Sequence, residues 1–334
     1  MELTNYFYLD EDDLNKKDIV LNKNDEQFDE LHIKSFPQFN DIIGAIYDGV
    51  KRGGNYHTTF YFRGVKDKKY NLESSVQFYM AEEREADLIN GLYSAAPKEF
   101  LACKSDFEMV ALMQHYGLPT RFLDFTSNPF VALWFACADY KHSNTDGAVY
   151  IADSRNRVTK QFINIIVKLC LAENYGVYYN PISKIISFEE MIYLFKEIYK
   201  NSERLFFINA PASSQREINQ EGMFLVGLNR IDGAPENISE IGSLRIHDKL
   251  IQALKDKYEG NGIFFEKLGC YDKKLSKPYI IKVIIPSESK REIIFELERR
   301  GINKSFIFPT LENIAEQVKR RNCGLGVSII DGGY

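Results

Sequence analysis

Three short stretches of the chain set polar side chains among apolar neighbours. The first is FYFRG, which ends in Arg63 and Gly64. A guanidinium at a strand end suits phosphate or carboxylate recognition, and a glycine beside it lets a ligand approach the backbone. An arginine bridging to a nearby carboxylate would leave the same pattern. The second is Asp124, Thr126 and Ser127, just ahead of Asn128 and Pro129. Asn is a good helix N-cap and Pro a good first helical residue. A strand therefore leads into two hydroxyls and a helix N-terminus leads out, an arrangement that suits ribose or phosphate. Ordinary capping, with Asp124 tied to Arg121 or His115, uses the same residues. The third runs from Arg216 through Gln220 and Glu221 to Gly222. Read as a strand, it points Gln220 and Gly222 one way and Glu221 the other, so only one of Gln220 and Glu221 reaches a ligand hydroxyl. On pattern alone, a solvated edge strand with Glu221 as a surface charge fits better.

Other chemistries lack their residues. No GxGxxG follows a strand, and neither a Walker A sequence nor a GxSxG occurs. The five cysteines are widely spaced without a CxxC, and the five histidines form no HExxH, so no metal site and a reducing compartment are expected. The formal net charge of −5 gives no global footprint for nucleic acid, and with no carboxylate cluster for a metal it disfavours a nuclease. The start, MELTNYFYLDEDD, has neither the basic beginning nor the apolar core of a secretory leader. The longest apolar stretch, residues 129–138, is about half of what a membrane span needs. A cytoplasmic protein that engages no membrane is the expectation.

Several elements are needed to hold these residues. FNDIIGAIYDGVKRG places Ile42, Ile43, Ile46 and Val50 at helical spacing, with Gly53 and Gly54 to stop the helix. HTTFYFRG reads as a strand with Phe60 and Phe62 on one face, Tyr61 and Arg63 on the other. A helical region spans about 76–116, stopped by Gly117 and Pro119. RFLDFT follows as a strand, then PFVALWFACADY as a helix apolar almost all round and hence buried. GAVYIADS and YIIKVIIP are further strands, ESKREIIFELERRG a helix, and FPTLENIAEQVKRR a helix capped by Thr310. Residues 155–205 read as a helical insertion, and IHDKLIQALKDKY as one more helix. The parallel βαβ rhythm is weak, which favours α+β over a doubly wound α/β fold. The expected organisation is an N-terminal region at 1–55, a main domain at 56–230 containing the insertion, and a C-terminal α/β extension at 231–334 on the same core.

Two stretches carry a resemblance. FYFRG, followed by ALMQHYGLPTRFLDFTSNPFVALWFACAD, resembles the FRG domain family, whose signature is an aromatic-Arg-Gly element and a long QHYGLPTRLLDWT-type block. A third match is Arg216-x-x-x-Gln220-x-Gly222-x-Phe224. The likeness extends over about 55–320 and is least in 155–205. Two departures stand out. LESSVQ at 72–77 replaces the family's Pro-Ser-Leu-x-Arg-like stretch, and Phe125 takes the place of the family's Trp.

The family's motif order is similar to that of ADP-ribosyltransferases: Arg on a first strand, Ser or Thr on a middle one, Glu or Gln on a late one. What this resemblance implies is an ADP-ribosyltransferase-like mixed sheet core and NAD as substrate. Arg63 would anchor phosphate or ribose, Thr126 and Ser127 would hold the ribose region, and Gln220 or Glu221 would bond the 2′-hydroxyl. Gly64, His115 and Asp124 would line the same place, with Tyr61, Tyr116 or Phe125 stacking on nicotinamide. Gln220 matches the family's fixed position, yet glutamine has no titratable carboxylate. The acceptor would be a macromolecule, nucleic acid or protein. Such proteins resemble effectors of bacterial toxin–antitoxin or phage-defence systems, which implies an antitoxin or inhibitor partner. The alternative is a non-catalytic nucleotide- or partner-binding module with the same pocket.

Overall fold

The computed structural model describes residues 9, 14–22, 28–52, 59–75, 79, 85–141, 144–154, 163–164, 206–211, 215–228, 243–244 and 280–322. Its centre is a mixed sheet in the order β1-β2-β9-β5-β3-β4-β7-β6. The strands are β1 (Val20–Asn22), β2 (Asp29–His32), β3 (Thr59–Val65), β4 (Leu123–Thr126), β5 (Gly147–Ser154), β6 (Phe206–Asn209), β7 (Gly222–Leu228) and β9 (Ile280–Ile285). A short β8 (Ser243–Leu244) pairs with β7 in parallel, outside this order. Along the main order only β2 and β9 run parallel; every other neighbouring pair is antiparallel. The fold is mixed α/β. β9, from the C-terminal third, lies between β2 and β5, and all six of its residues are buried.

Alternation along β3 sets the two faces. Phe60 and Phe62 enter one core with α1 (Phe36–Arg52), and Ile42, Ile46 and Val50 of that helix are buried there as their spacing expects. Tyr61 and Val65 enter the opposite core with Leu123, Phe125 and Tyr150. The helical region before β4 includes α2 (Glu85–Ala95) and α3 (Asp106–His115). Pro97 opens a 3-10 turn between them, and the Ser105 side chain caps α3 by accepting from the Glu108 amide. Gly117, at φ +90°, ends α3; the Leu118 amide reaches back to the Met113 carbonyl, and the Gly117 amide bonds to Gln114 O.

The helix after β4, α4 (Pro129–Cys137), starts as the sequence expects. The Asn128 side chain accepts from the Phe130 and Val131 amides, and Pro129 is the first helical residue. α4 packs on the sheet backbone to backbone. A methyl group on Gly64 would lie 1.8 Å from the Ala132 carbonyl oxygen, and one on Gly147 would lie 2.2 Å from that of Ala136. The sequence reading gave Gly64 to ligand approach. That is corrected: the space over Gly64 is filled by α4, and the missing side chain is what lets helix and strand touch.

Two helices close this face, and a third follows them. α6 (Lys290–Arg299) begins with Lys290, fully buried, whose Nζ donates to Asp139 Oδ1 at 2.8 Å and to the Lys66 carbonyl at 2.7 Å. That one ammonium joins α6, the end of α4 and the chain after β3. A short α7 (Lys304–Ile307) is capped by Asn303, and α8 (Leu311–Asn322) by Thr310, which accepts from the Asn313 amide.

The expected strand at Gln220 is a second correction. Residues 215–220 form a helix, α5 (Gln215–Gln220), and β7 begins only at Gly222. The β4–β7 ladder ends at Thr126 opposite Gly222, so β4 offers Gln220 nothing to pair with. Asn219 and Gln220 instead donate their side-chain amides to the carbonyls of Phe306 and Ile307 in α7. The helix expected in IHDKLIQALKDKY lies outside the described residues, as does all of the 155–205 insertion except residues 163–164.

Candidate functional site

β3 and β4 meet at one register pair, Phe62 opposite Thr126, and their pairing goes no further. β3 pairs with β5 along its full length, and β4 with β7 along its own. The sheet therefore has a seam between β3 and β4. Arg63 lies at that seam and donates Nη1 to the Asp124 carbonyl oxygen at 2.7 Å. Its Nε is buried with no hydrogen-bond partner. Desolvation pulls the Arg63 pKa down, while Asp124 and Tyr150 pull it up.

Asp124 projects from the opposite face of β4 to Leu123 and Phe125. Its carboxylate is open to solvent and accepts from Gln114 Nε2 at 2.7 Å. Gln114 is positioned in turn by Thr120, whose hydroxyl donates to its Oε1. The protein around Asp124 is dense enough that desolvation pushes its pKa up, against the lowering effects of Arg63, the Gln114 hydrogen bond and Arg216. Arg216, on α5, places its guanidinium carbon 4.8 Å from the centre of the Phe308 ring. Its Nε is also buried without a partner.

The β4–α4 junction and the α5–β7 turn are stitched together. Thr126 is buried; its hydroxyl donates to the Gln220 carbonyl at 2.6 Å and accepts from the Asn128 amide at 3.0 Å. Ser127 Oγ donates to Glu221 Oε2 at 2.7 Å, and Asn128 Nδ2 donates to Glu221 Oε1 at 3.2 Å. The Ser127 amide bonds to the Glu221 carbonyl at 3.2 Å. Glu221 is exposed and adopts φ +46°, a left-handed backbone that costs a non-glycine residue roughly 1–2 kcal/mol. Of the two candidates at the late strand, Glu221 turns its carboxylate to the junction and Gln220 turns away to α7.

The structure thus brings Arg63, Asp124, Thr126, Ser127 and Glu221 to one end of the β3–β4–β7 strands. It does not bring the expected aromatics with them. Tyr61 is 1% exposed, its ring 4.4 Å from Phe207 and its hydroxyl buried without a hydrogen bond. Phe125 is buried against Phe207. Tyr116 is 64% exposed, edge-on to the half-buried His115. Sequence reasoning left out Gln114 and Arg216. Gln114 stands in the QHYG element, and Arg216 opens the Arg216-x-x-x-Gln220 element.

A mixed sheet parted between β3 and β4, with an arginine at the seam and a carboxylate held at the adjoining turn, gathers a polar cluster at one end of these strands. Residues 58–145 match the family model of the FRG domain, a span that takes in β3, α3, β4 and α4, so the chain carries an FRG domain there. No curated protein and no solved structure matches it. Among the described residues, no helix is long and apolar enough to cross a membrane.

Proposed function

We propose that the chain is an NAD-dependent ADP-ribosyltransferase that modifies a macromolecular acceptor, nucleic acid or protein. The observation that carries this reading is the 2.7 Å hydrogen bond from Ser127 to Glu221. It ties a late carboxylate to the β4–α4 junction, one strand away from Arg63. A guanidinium and a fixed carboxylate so placed suit a substrate that is anionic at its diphosphate and gains positive charge at a ribose carbon.

In the proposed reaction the C1′–N bond of NAD breaks, and its electron pair leaves with nicotinamide. An acceptor nucleophile bonds to C1′ and gives up its proton. Arg63 holds the phosphates. Glu221 accepts from the ribose 2′-hydroxyl, stabilises the developing positive charge, and takes the acceptor's proton. Gln220 has no part in the chemistry beyond positioning, since its side chain is spent on α7. An enzyme of this kind would be toxic to the cell that makes it unless an inhibitor protein held it, in keeping with a bacterial toxin or phage-defence effector working in the cytoplasm.

The test is to incubate the protein with NAD, alone and with RNA, DNA or cell lysate, and to follow nicotinamide by chromatography. Release that needs a macromolecular component, and that falls about a hundredfold or more in Glu221→Gln and Arg63→Ala, is the expected result. A second reading, a nucleotide-binding module without turnover, draws on Thr126, whose hydroxyl is buried and committed to internal hydrogen bonds. NAD that raises the melting temperature but is never cleaved would replace the first reading with the second.

A further inference from the structure

Arg63 and Arg216 come from elements more than 150 residues apart in sequence. Both are half-buried. A guanidinium carries five N–H donors in a planar fork, and buried donors are almost always matched by acceptors. Among the described residues these two groups make one hydrogen bond, from Arg63 Nη1 to the Asp124 carbonyl. Each leaves its Nε buried with no partner. The flat face of Arg216 rests on Phe308, which fixes the plane of the fork and leaves its edge for an acceptor. Both guanidinium groups act on the Asp124 carboxylate, yet neither closes an ion pair with it; its hydrogen bond comes from Gln114. Two cations held close to a carboxylate and short of acceptors are arranged for an anion that supplies several oxygens.

We infer that Arg63 and Arg216 form a two-arginine site that takes a diphosphate group across Asp124. Two guanidinium groups on different elements call for a ligand with two linked anionic centres, and each fork matches the paired oxygens of one phosphate. Arg216 is thereby a binding residue of the polar cluster, brought there by the helix α5 that replaces the expected strand. This inference names the anionic part of the substrate of the proposed transferase and rests on that reading for its place in the reaction. Binding itself requires no turnover.

The experiment is calorimetric titration of the full chain with inorganic pyrophosphate, with orthophosphate for comparison, in Arg63→Gln, Arg216→Gln and Arg216→Lys. The wild type is expected to bind pyrophosphate more tightly than orthophosphate. Each glutamine variant should lose about tenfold or more, the worth of a hydrogen bond to a charged group, with the lysine variant in between. Asp124→Asn, which removes the competing negative charge, should bind more tightly than wild type. Should a glutamine variant fold poorly, the lysine variant, which keeps the charge and loses the fork, carries the comparison. Pyrophosphate binding that is absent from the wild type, unchanged in the folded Arg216 variants, or no tighter than that of orthophosphate overturns the inference. Nicotinamide release is read separately: two-arginine binding without release sinks the transferase and leaves the anion site, whereas release that is indifferent to Arg216 does the reverse.

Discussion

Glu221 stands where two opposing effects meet. Its left-handed backbone costs about 1–2 kcal/mol, and its two side-chain hydrogen bonds, from Ser127 and Asn128, each return about 1 kcal/mol. Glu221→Gly removes the strain and the clamp together, so its unfolding free energy should stay within about 1 kcal/mol of wild type. The same substitution removes the carboxylate that Ser127 holds, and the proposed nicotinamide release should vanish with it. Urea unfolding read beside the release assay checks this. A loss of several kcal/mol would make Glu221 a structural residue. At this scale the sequence was partly legible: FYFRG and the Asn128-Pro129 cap marked the strand and the helix start between which these polar groups lie. It left Gln220 and Glu221 as equals, because which of the two faces the junction depends on α7, a helix more than 80 residues further along the chain.

At the scale of elements, α4 lies tight against β3 and β5. Gly64 and Gly147 allow it, since each faces a helix carbonyl where a methyl group has no room. Gly64→Ala should therefore cost about 3 kcal/mol or more, the upper range for overpacking, because the obstacle is backbone rather than a side chain that can turn aside. Urea denaturation measures it, and a cost below about 1 kcal/mol would mean that α4 does not sit where the structure puts it. The strand–helix alternation from 123 to 154 was readable from periodicity and capping. The helix α5 was not, because QREINQ alone carries no strong period. Its form is set by where the β4–β7 ladder stops and by the bonds from Asn219 and Gln220 to α7.

At the scale of the molecule, Lys290 links parts of the chain more than 150 residues apart. Its ammonium is fully buried, with Asp139 and the Lys66 carbonyl as its acceptors. Removing one member of a buried pair strands the other, so Lys290→Met should destabilise by about 3–5 kcal/mol. The double variant Lys290→Met, Asp139→Leu should be less destabilised than that single variant, since no charge is then left without a partner. A double variant as unstable as the sum of its singles would contradict this account. The same interior explains why the C-terminal strand matters to the polar cluster. β9 pairs with β5, and β5 with β3, so the strand that bears Arg63 is held in a sheet completed by residues 280–285.

What the sequence determined by itself is local. Alternation put Phe60 and Phe62 on one face of β3 and Tyr61 on the other, and Asn128-Pro129 fixed the start of α4, because side-chain period and capping act over a few residues. The matched blocks announced the FRG domain for the same reason, being continuous runs of residues. Tertiary structure decided the rest. Gly64 became a packing residue, since α4 fills the space above it. Arg216 came to act on Asp124, since α5 is bonded back to α7. Ser127 chose Glu221, since Gln220 was drawn to α7. Each of these outcomes depends on a partner distant along the chain, and the neighbours of a residue in sequence do not specify which distant group will meet it in space.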